Sequence, residues 1–250
     1  KIPEAMDVYG QMLANGESVT QNKVQAVQLF KEAHELGFIE STYHYAQSLE
    51  AGKGCDQNFA QAAQLYKIAA DHNHHDSEFK YAWFCEEGQY IPKNEKEAVT
   101  YYEKAANGGH ADAMANYAVM LLNGIGIKKN AKEAFKWNKQ AAELNNTKAM
   151  NNVATQLLTG NGCSKKPKEA IKYLETSVQR GNVHAIYLLG TVYEAGQGVD
   201  QNMNTAANKY REAAQKGDEE AMLRTADLLL EGVYLDRDTV LAYNYYKFLA

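Results

Sequence analysis

Glycines stand at positions 16, 52, 88, 124, 160, 196 and 232, one every 36 residues, and no insertion or deletion breaks the phase across the 250 residues. Ten residues after each glycine comes an alanine: Ala26, Ala62, Ala98, Ala134, Ala170, Ala206 and Ala242. A fixed period in this range is the mark of stacked supersecondary units, each packing on its neighbours. The chain therefore reads as a single array over 1–250, in units 1–36, 37–72, 73–108, 109–144, 145–180, 181–216 and 217–250.

Unit 4 shows the pattern most clearly. Ala113, Met114, Tyr117, Ala118 and Leu121 fall on one face of a helix. Gly124 supplies the left-handed residue that commonly ends one, and Gly126 continues the turn. A second helix starts after Asn130, in a position that holds Asn22, Asn58, Asn94, Asn202 and Asp238 in other units. Three residues on stand Gln25, Gln61, Glu97 and Glu133, which predicts a capping box. Small residues recur in the first helix (Gly10, Ala46, Ala82, Ala118, Ala154, Gly190, Ala226) and in the second (Ala33, Ala69, Ala105, Ala141, Ala213). They mark where helices cross closely. The prediction is all-α: seven helix-turn-helix repeats that stack into a superhelix.

The run A-M-x-x-Y-A-x-x-L-x-x-G-x-G-I, Ala113 to Ile127, followed by E-A-x-x-W-x-K-x-A-A, Glu133 to Ala142, resembles the Sel-1-like repeat. Unit 6 matches equally well, and the resemblance covers the whole chain. Units 1, 3 and 7 depart at the second glycine, with Ser18, Tyr90 and Tyr234, so their loops are expected to differ. The resemblance implies a right-handed superhelix and an adaptor role in multiprotein complexes.

Composition narrows the partner. The net charge of −5 is uneven: residues 1–125 carry 9 Lys and Arg against 17 Asp and Glu, and residues 126–250 carry 17 against 14. With no concentrated basic patch, nucleic acid is a poor fit. The acidic half suits a basic peptide. No apolar run is long enough to insert in a membrane. Cys55 and Cys163 share a repeat position three units apart, roughly 30 Å at about 10 Å per hairpin, so they cannot pair. Cys85 falls at a core leucine position, and the absence of a disulfide framework leans towards a reducing compartment. Beginning at Lys1 and ending inside its seventh unit, the chain reads as a piece of a longer one, so a missing leader says nothing about compartment.

By analogy with tetratricopeptide arrays, the first-helix face left free by stacking lines a concave groove. Three rows fall there: Asp7, Tyr43, Phe79, Ala115, Asn151, Tyr187, Leu223; then Gln11, Gln47, Trp83, Val119, Thr155, Thr191, Asp227; then Ala14, Glu50, Glu86, Leu122, Leu158, Glu194, Leu230. These rows vary between units while the core rows do not. The groove residues expected to meet a partner are Tyr43, Phe79, Trp83, Glu50 and Glu86, the amides Asn116, Asn151 and Asn152, and Tyr187. Aromatic pockets hold side chains and amides hold an extended backbone.

Catalytic and metal constellations were weaker. Asp71-His72-Asn73-His74-His75-Asp76 reads as a solvated linker with no fixed ligand geometry, so no metal is expected. Ser77-Glu78-Phe79-Lys80 fits S-x-x-K, but its companion motifs S-D-N and K-T-G are absent. The expectation is a non-enzymatic, cofactor-free, monomeric scaffold for a protein or peptide. The alternatives are a cell-wall ligand-binding or hydrolytic repeat protein, and a structural spacer.

Overall fold

A computed structural model describes residues 2–250. Among these residues the chain is helical, without a strand, and divides into two compact halves at Lys129/Asn130. The N-terminal half holds α1 (Pro3–Asn15), α2 (Lys23–Glu35), α3 (Ile39–Ala51), α4 (Phe59–Ala70), α5 (His75–Glu87), α6 (Glu95–Asn107) and α7 (Ala111–Asn123). The C-terminal half holds α8 (Ala131–Glu143), α9 (Thr147–Thr159), α10 (Pro167–Gln179), α11 (Val183–Ala195), α12 (Met203–Gln215), α13 (Glu219–Glu231) and α14 (Thr239–Leu249). Within each half, sequential helices pack on one another. The small residues predicted at the crossings are fully buried, Ala46, Ala82, Ala118 and Ala154 among them.

Each odd-numbered helix ends as predicted. At α7 the N–H groups of Gly124 and Ile125 both return to the Met120 carbonyl, at 2.8 and 3.1 Å, with Gly124 at φ 76°. The second glycine has a different task. A Cβ on Gly126 would lie 2.4 Å from the Glu95 carbonyl oxygen, in the first turn of the preceding repeat's second helix. The loop therefore rides directly on backbone. Where Tyr90 replaces that glycine the loop changes, and the ring stacks on Phe59, 31 positions earlier, at 4.1 Å.

The even-numbered helices are capped at Asn22, Asn58, Asn94, Asn130, Asn202 and Asp238, each accepting from a backbone N–H three residues on. The box closes differently from the expected form. Asn94 Nδ2 donates to Glu97 Oε2 at 2.9 Å, while the Asn94 backbone N–H goes to the Cys85 carbonyl. The return partner is thus the cap's amide and not its backbone. Among the odd-numbered helices α5, α7, α9, α11 and α13 also carry side-chain caps, which the repeat pattern above does not predict.

Candidate partner-binding surface

The first predicted row interlocks successive repeats. Tyr43, Phe79 and Asn151 each meet the residue that caps the next odd-numbered helix. The Tyr43 ring lies 4.5 Å from the His74 ring, and Phe79 stacks on His110 at 4.4 Å and 18°. Asn151 Nδ2 donates to Asn182 Oδ1 at 3.0 Å. His74 Nδ1 accepts from Ser77 N–H and His110 Nδ1 from Ala113 N–H, both at 3.2 Å. Accepting at Nδ1 places the ring proton on Nε2. Those nitrogens face Glu40 and Asp76, at 3.5 and 3.6 Å. His74 is therefore a half-buried helix cap, a correction to its reading as part of a solvated linker.

Three members expected on the open face, Asp7, Ala115 and Asn151, are buried. Asp7 accepts from Ser41 Oγ at 2.6 Å and Gln11 Nε2 at 2.7 Å, and pairs with His44 Nδ1 at 2.9 Å. Burial works to raise its pKa, but the hydrogen bonds from His44 and Ser41 outweigh it and hold the carboxyl below the usual range. Asn151 is also buried, and its Oδ1 has no partner.

The third row runs into internal triads. Glu50 accepts from Tyr66 Oη at 2.5 Å and pairs with Lys80 Nζ at 2.8 Å; these partners lie 16 and 30 positions later. Glu86 accepts from Tyr102 Oη at 2.7 Å, and Asn116, at the Lys80-equivalent position, hydrogen-bonds the same hydroxyl. Glu194 repeats the arrangement with Tyr210 and with Arg224 Nη2, the latter at 2.6 Å. Burial, with the carboxylate acceptor second, pushes the Tyr66, Tyr102 and Tyr210 hydroxyls above the ordinary tyrosine range. Tyr43, half-buried and facing Asp76, Glu50 and Glu40, is pushed up to about 12, burial being the larger cause.

In the C-terminal half the slot changes chemistry. Asn138, fully buried, donates to Gln156 Oε1 at 2.8 Å and accepts from Asn152 Nδ2 at 3.3 Å. One repeat further the slot is Leu158, Leu174 and Leu188. Trp83 stands apart from all of these. It is half-buried, with its ring edge-on to Phe84 at 5.0 Å. Its indole N–H has no hydrogen-bond partner among the described residues. Tyr187 is likewise half-buried, its ring 5.5 Å from Tyr210 and 5.4 Å from His184.

Comparison with known families places a Sel1 repeat on residues 3–38, 39–74, 75–110, 111–146, 147–182, 183–218 and 219–250. The chain belongs to the Sel1 repeat family.

Among solved structures it is similar to a Sel1 repeat protein from Oxalobacter formigenes, at 28% identity and a TM-score of 0.76 over 87% of each chain. A protective antigen of uropathogenic Escherichia coli with an SLR fold aligns at 22% identity and TM-score 0.77, over 98% of this chain and 60% of that one. An immunity protein from Pseudomonas aeruginosa aligns at 18% and 0.57, over 84% and 79%. The last two are likenesses of fold. No curated protein sequence matches the chain. Sel1 repeat proteins are generally protein-interaction scaffolds, and the fold is typically non-catalytic. No helix among the described residues is long and apolar enough to cross a membrane.

The remaining motifs resolve into repeat architecture. Ser77 is fully buried, with its Oγ 2.9 Å from His74 Nδ1, and Lys80 is turned to Glu50. The S-x-x-K serine therefore has neither access nor its lysine. In the histidine run, His72 Nδ1 donates to the Ile68 carbonyl, His74 caps α5, and His75 pairs with Glu78 at 2.8 Å. Cys85 is buried as predicted, and burial pushes its thiol up to about 11. All three cysteines are free.

Proposed function

We propose that this Sel1 repeat chain is a non-enzymatic, monomeric scaffold. In this reading the odd-helix face of its N-terminal half holds a segment of a partner protein, anchored at Trp83. One observation carries the proposal. On the predicted rows of the N-terminal half the polar atoms of Tyr43, Glu50, Glu86 and Asn116 are engaged inside the repeats, whereas the Trp83 indole N–H has no partner among the described residues. A half-exposed tryptophan with a free donor is the side chain most often found at the energetic centre of an interface.

Tyr43 and Phe79 wall the surface, held rigid by their stacks on His74 and His110. Glu50, Glu86 and Asn116 shape its floor. The exposed carboxylate of Glu87 and the acidic balance of residues 1–125 favour a basic segment. Asn152 and Tyr187 give the C-terminal half a second, more polar contact surface, backed by buried Asn151.

The test places a photo-crosslinking phenylalanine analogue at the exposed Glu87, one turn from Trp83 on α5, and identifies what it captures. Binding of that partner is then measured against Trp83→Ala. The expected result is a loss of at least about tenfold in affinity, or about 1.4 kcal/mol, with little change in melting temperature. Equal affinity for both proteins would sink the Trp83 surface and favour a spacer role for this half.

A further inference from the structure

We propose that His184, Asp218 and Glu220 form a binding site for a divalent transition-metal ion of the zinc class, at the junction of the sixth and seventh repeats. His184 Nδ1 lies 3.0 Å from Asp218 Oδ2 and 3.9 Å from Glu220 Oε2. One ligand atom from each residue falls within 4.8 Å of the other two. A tetrahedral ion with bonds of about 2.0–2.1 Å sets its ligand atoms roughly 3.3 Å apart. Small side-chain adjustments therefore admit it.

The scaffold fixes this set. His184 and Glu220 are the second residues of α11 and α13, one repeat apart, so repeat stacking sets their separation. Asp218 caps α13, with a side chain only 6% exposed. Its Oδ1 accepts from Ala221 N–H at 2.9 Å, which orients the carboxylate and leaves Oδ2 for the ion. The N-terminal partial charge of α13 opposes a cation, and Glu219 and Glu220 in its first turn offset it.

The other junctions show why this one differs. At the two preceding His junctions the imidazole is itself the cap: His74 and His110 spend Nδ1 on a backbone N–H and face one carboxylate through Nε2. Between α9 and α11 the equivalent residues are Lys148 and Asn182, which offer a cation and an amide. Only where Asp218 takes over the cap is an imidazole released from backbone duty while a second carboxylate, Glu220, stands beside it. Two carboxylates and a neutral imidazole balance a dication, and as the ion takes Nδ1 the imidazole carries its one proton on Nε2.

The test uses the whole chain after dialysis against a chelator. Zn²⁺ is titrated by calorimetry, and Co²⁺ is followed by its visible absorption, which reports low-coordinate ligation. His184→Ala removes the imidazole. Asp218→Asn removes the carboxylate but retains the cap, because Asn146 and Asn182 already fill that position in the preceding repeats. The expected result is one equivalent of ion per chain, bound at least about tenfold more weakly by either variant. Asp218→Asn should melt at the wild-type temperature without metal and lose the metal-induced rise. Absence of binding, or equal binding by all three proteins, would overturn the site; the latter would assign the ion elsewhere, with the His72–His75 segment the first place to look.

Discussion

The two halves of the molecule solve one packing problem with different chemistry. In the N-terminal half the slot between successive repeats holds Glu50–Tyr66–Lys80 and Glu86–Tyr102–Asn116. In the C-terminal half it holds an Asn138–Gln156–Asn152 network, then three leucines, then Glu194–Tyr210–Arg224. The backbone in all of them is the same helix pair. The repeat is thus fixed by its small residues and caps, and the slot is free to vary so long as each buried polar group finds a partner.

That comparison can be broken most severely in the apolar slot. Leu174 is fully buried, and Leu174→Ala should cost about 2–5 kcal/mol, read as a fall in the urea midpoint. Tyr66→Phe in the polar slot should cost less, about 1–2 kcal/mol, because Glu50 keeps Lys80. If Tyr66→Phe cost as much as Leu174→Ala, the two slots would not be equivalent solutions.

A swap sharpens the point. Glu50→Leu with Tyr66→Phe and Lys80→Leu approaches the Leu158, Leu174 and Leu188 slot and should fall within about 1 kcal/mol of the wild type, since the hydroxyl and both charges leave together. Glu50→Leu alone strands the Lys80 charge as well as the Tyr66 hydroxyl and should be the worst of the set by chemical denaturation.

Alkali should separate the slots as well. The Tyr66, Tyr102 and Tyr210 hydroxyls sit above the ordinary value in the folded chain, and Tyr43 at about 12. Their contribution is complete below the unfolded tyrosine value near ~10 and is lost as pH rises above it. Melting temperature should decline from about pH 10 upward, and the decline should be shallower in Tyr66→Phe. The smallest effect on stability is expected at Trp83, where Ala should change the midpoint least while weakening the proposed partner contact.

Much of the fold could be read from spacing. The period of 36 placed both helices, and the αL glycines, the second-helix caps and the buried alanines all lie where local chemistry puts them. The candidate surface was readable only in part. Row alignment selected Tyr43, Phe79 and Trp83, but it also selected Asp7 and Asn151, which are buried. Sequence spacing gives the face of a helix, and says nothing of a partner 31 to 37 positions away. The first-helix caps were missed for a related reason. Histidine is not among the residues favoured at a helix N-terminus, so His74 and His110 carried no capping signal of their own, although Asn146, Asn182 and Asp218 at the same repeat position did.

By itself, then, the sequence determined that this chain is a stack of αα units, because glycine, alanine and asparagine at fixed offsets act through backbone geometry within a few residues. Only the tertiary structure decided which variable side chains are spent. Glu50, Glu86 and Asn152 reach partners 14, 16 or 30 positions distant, while the Trp83 indole does not. The cause is the stack itself: it brings each repeat's polar tips against its neighbours, and what those tips bond to depends on both repeats at once.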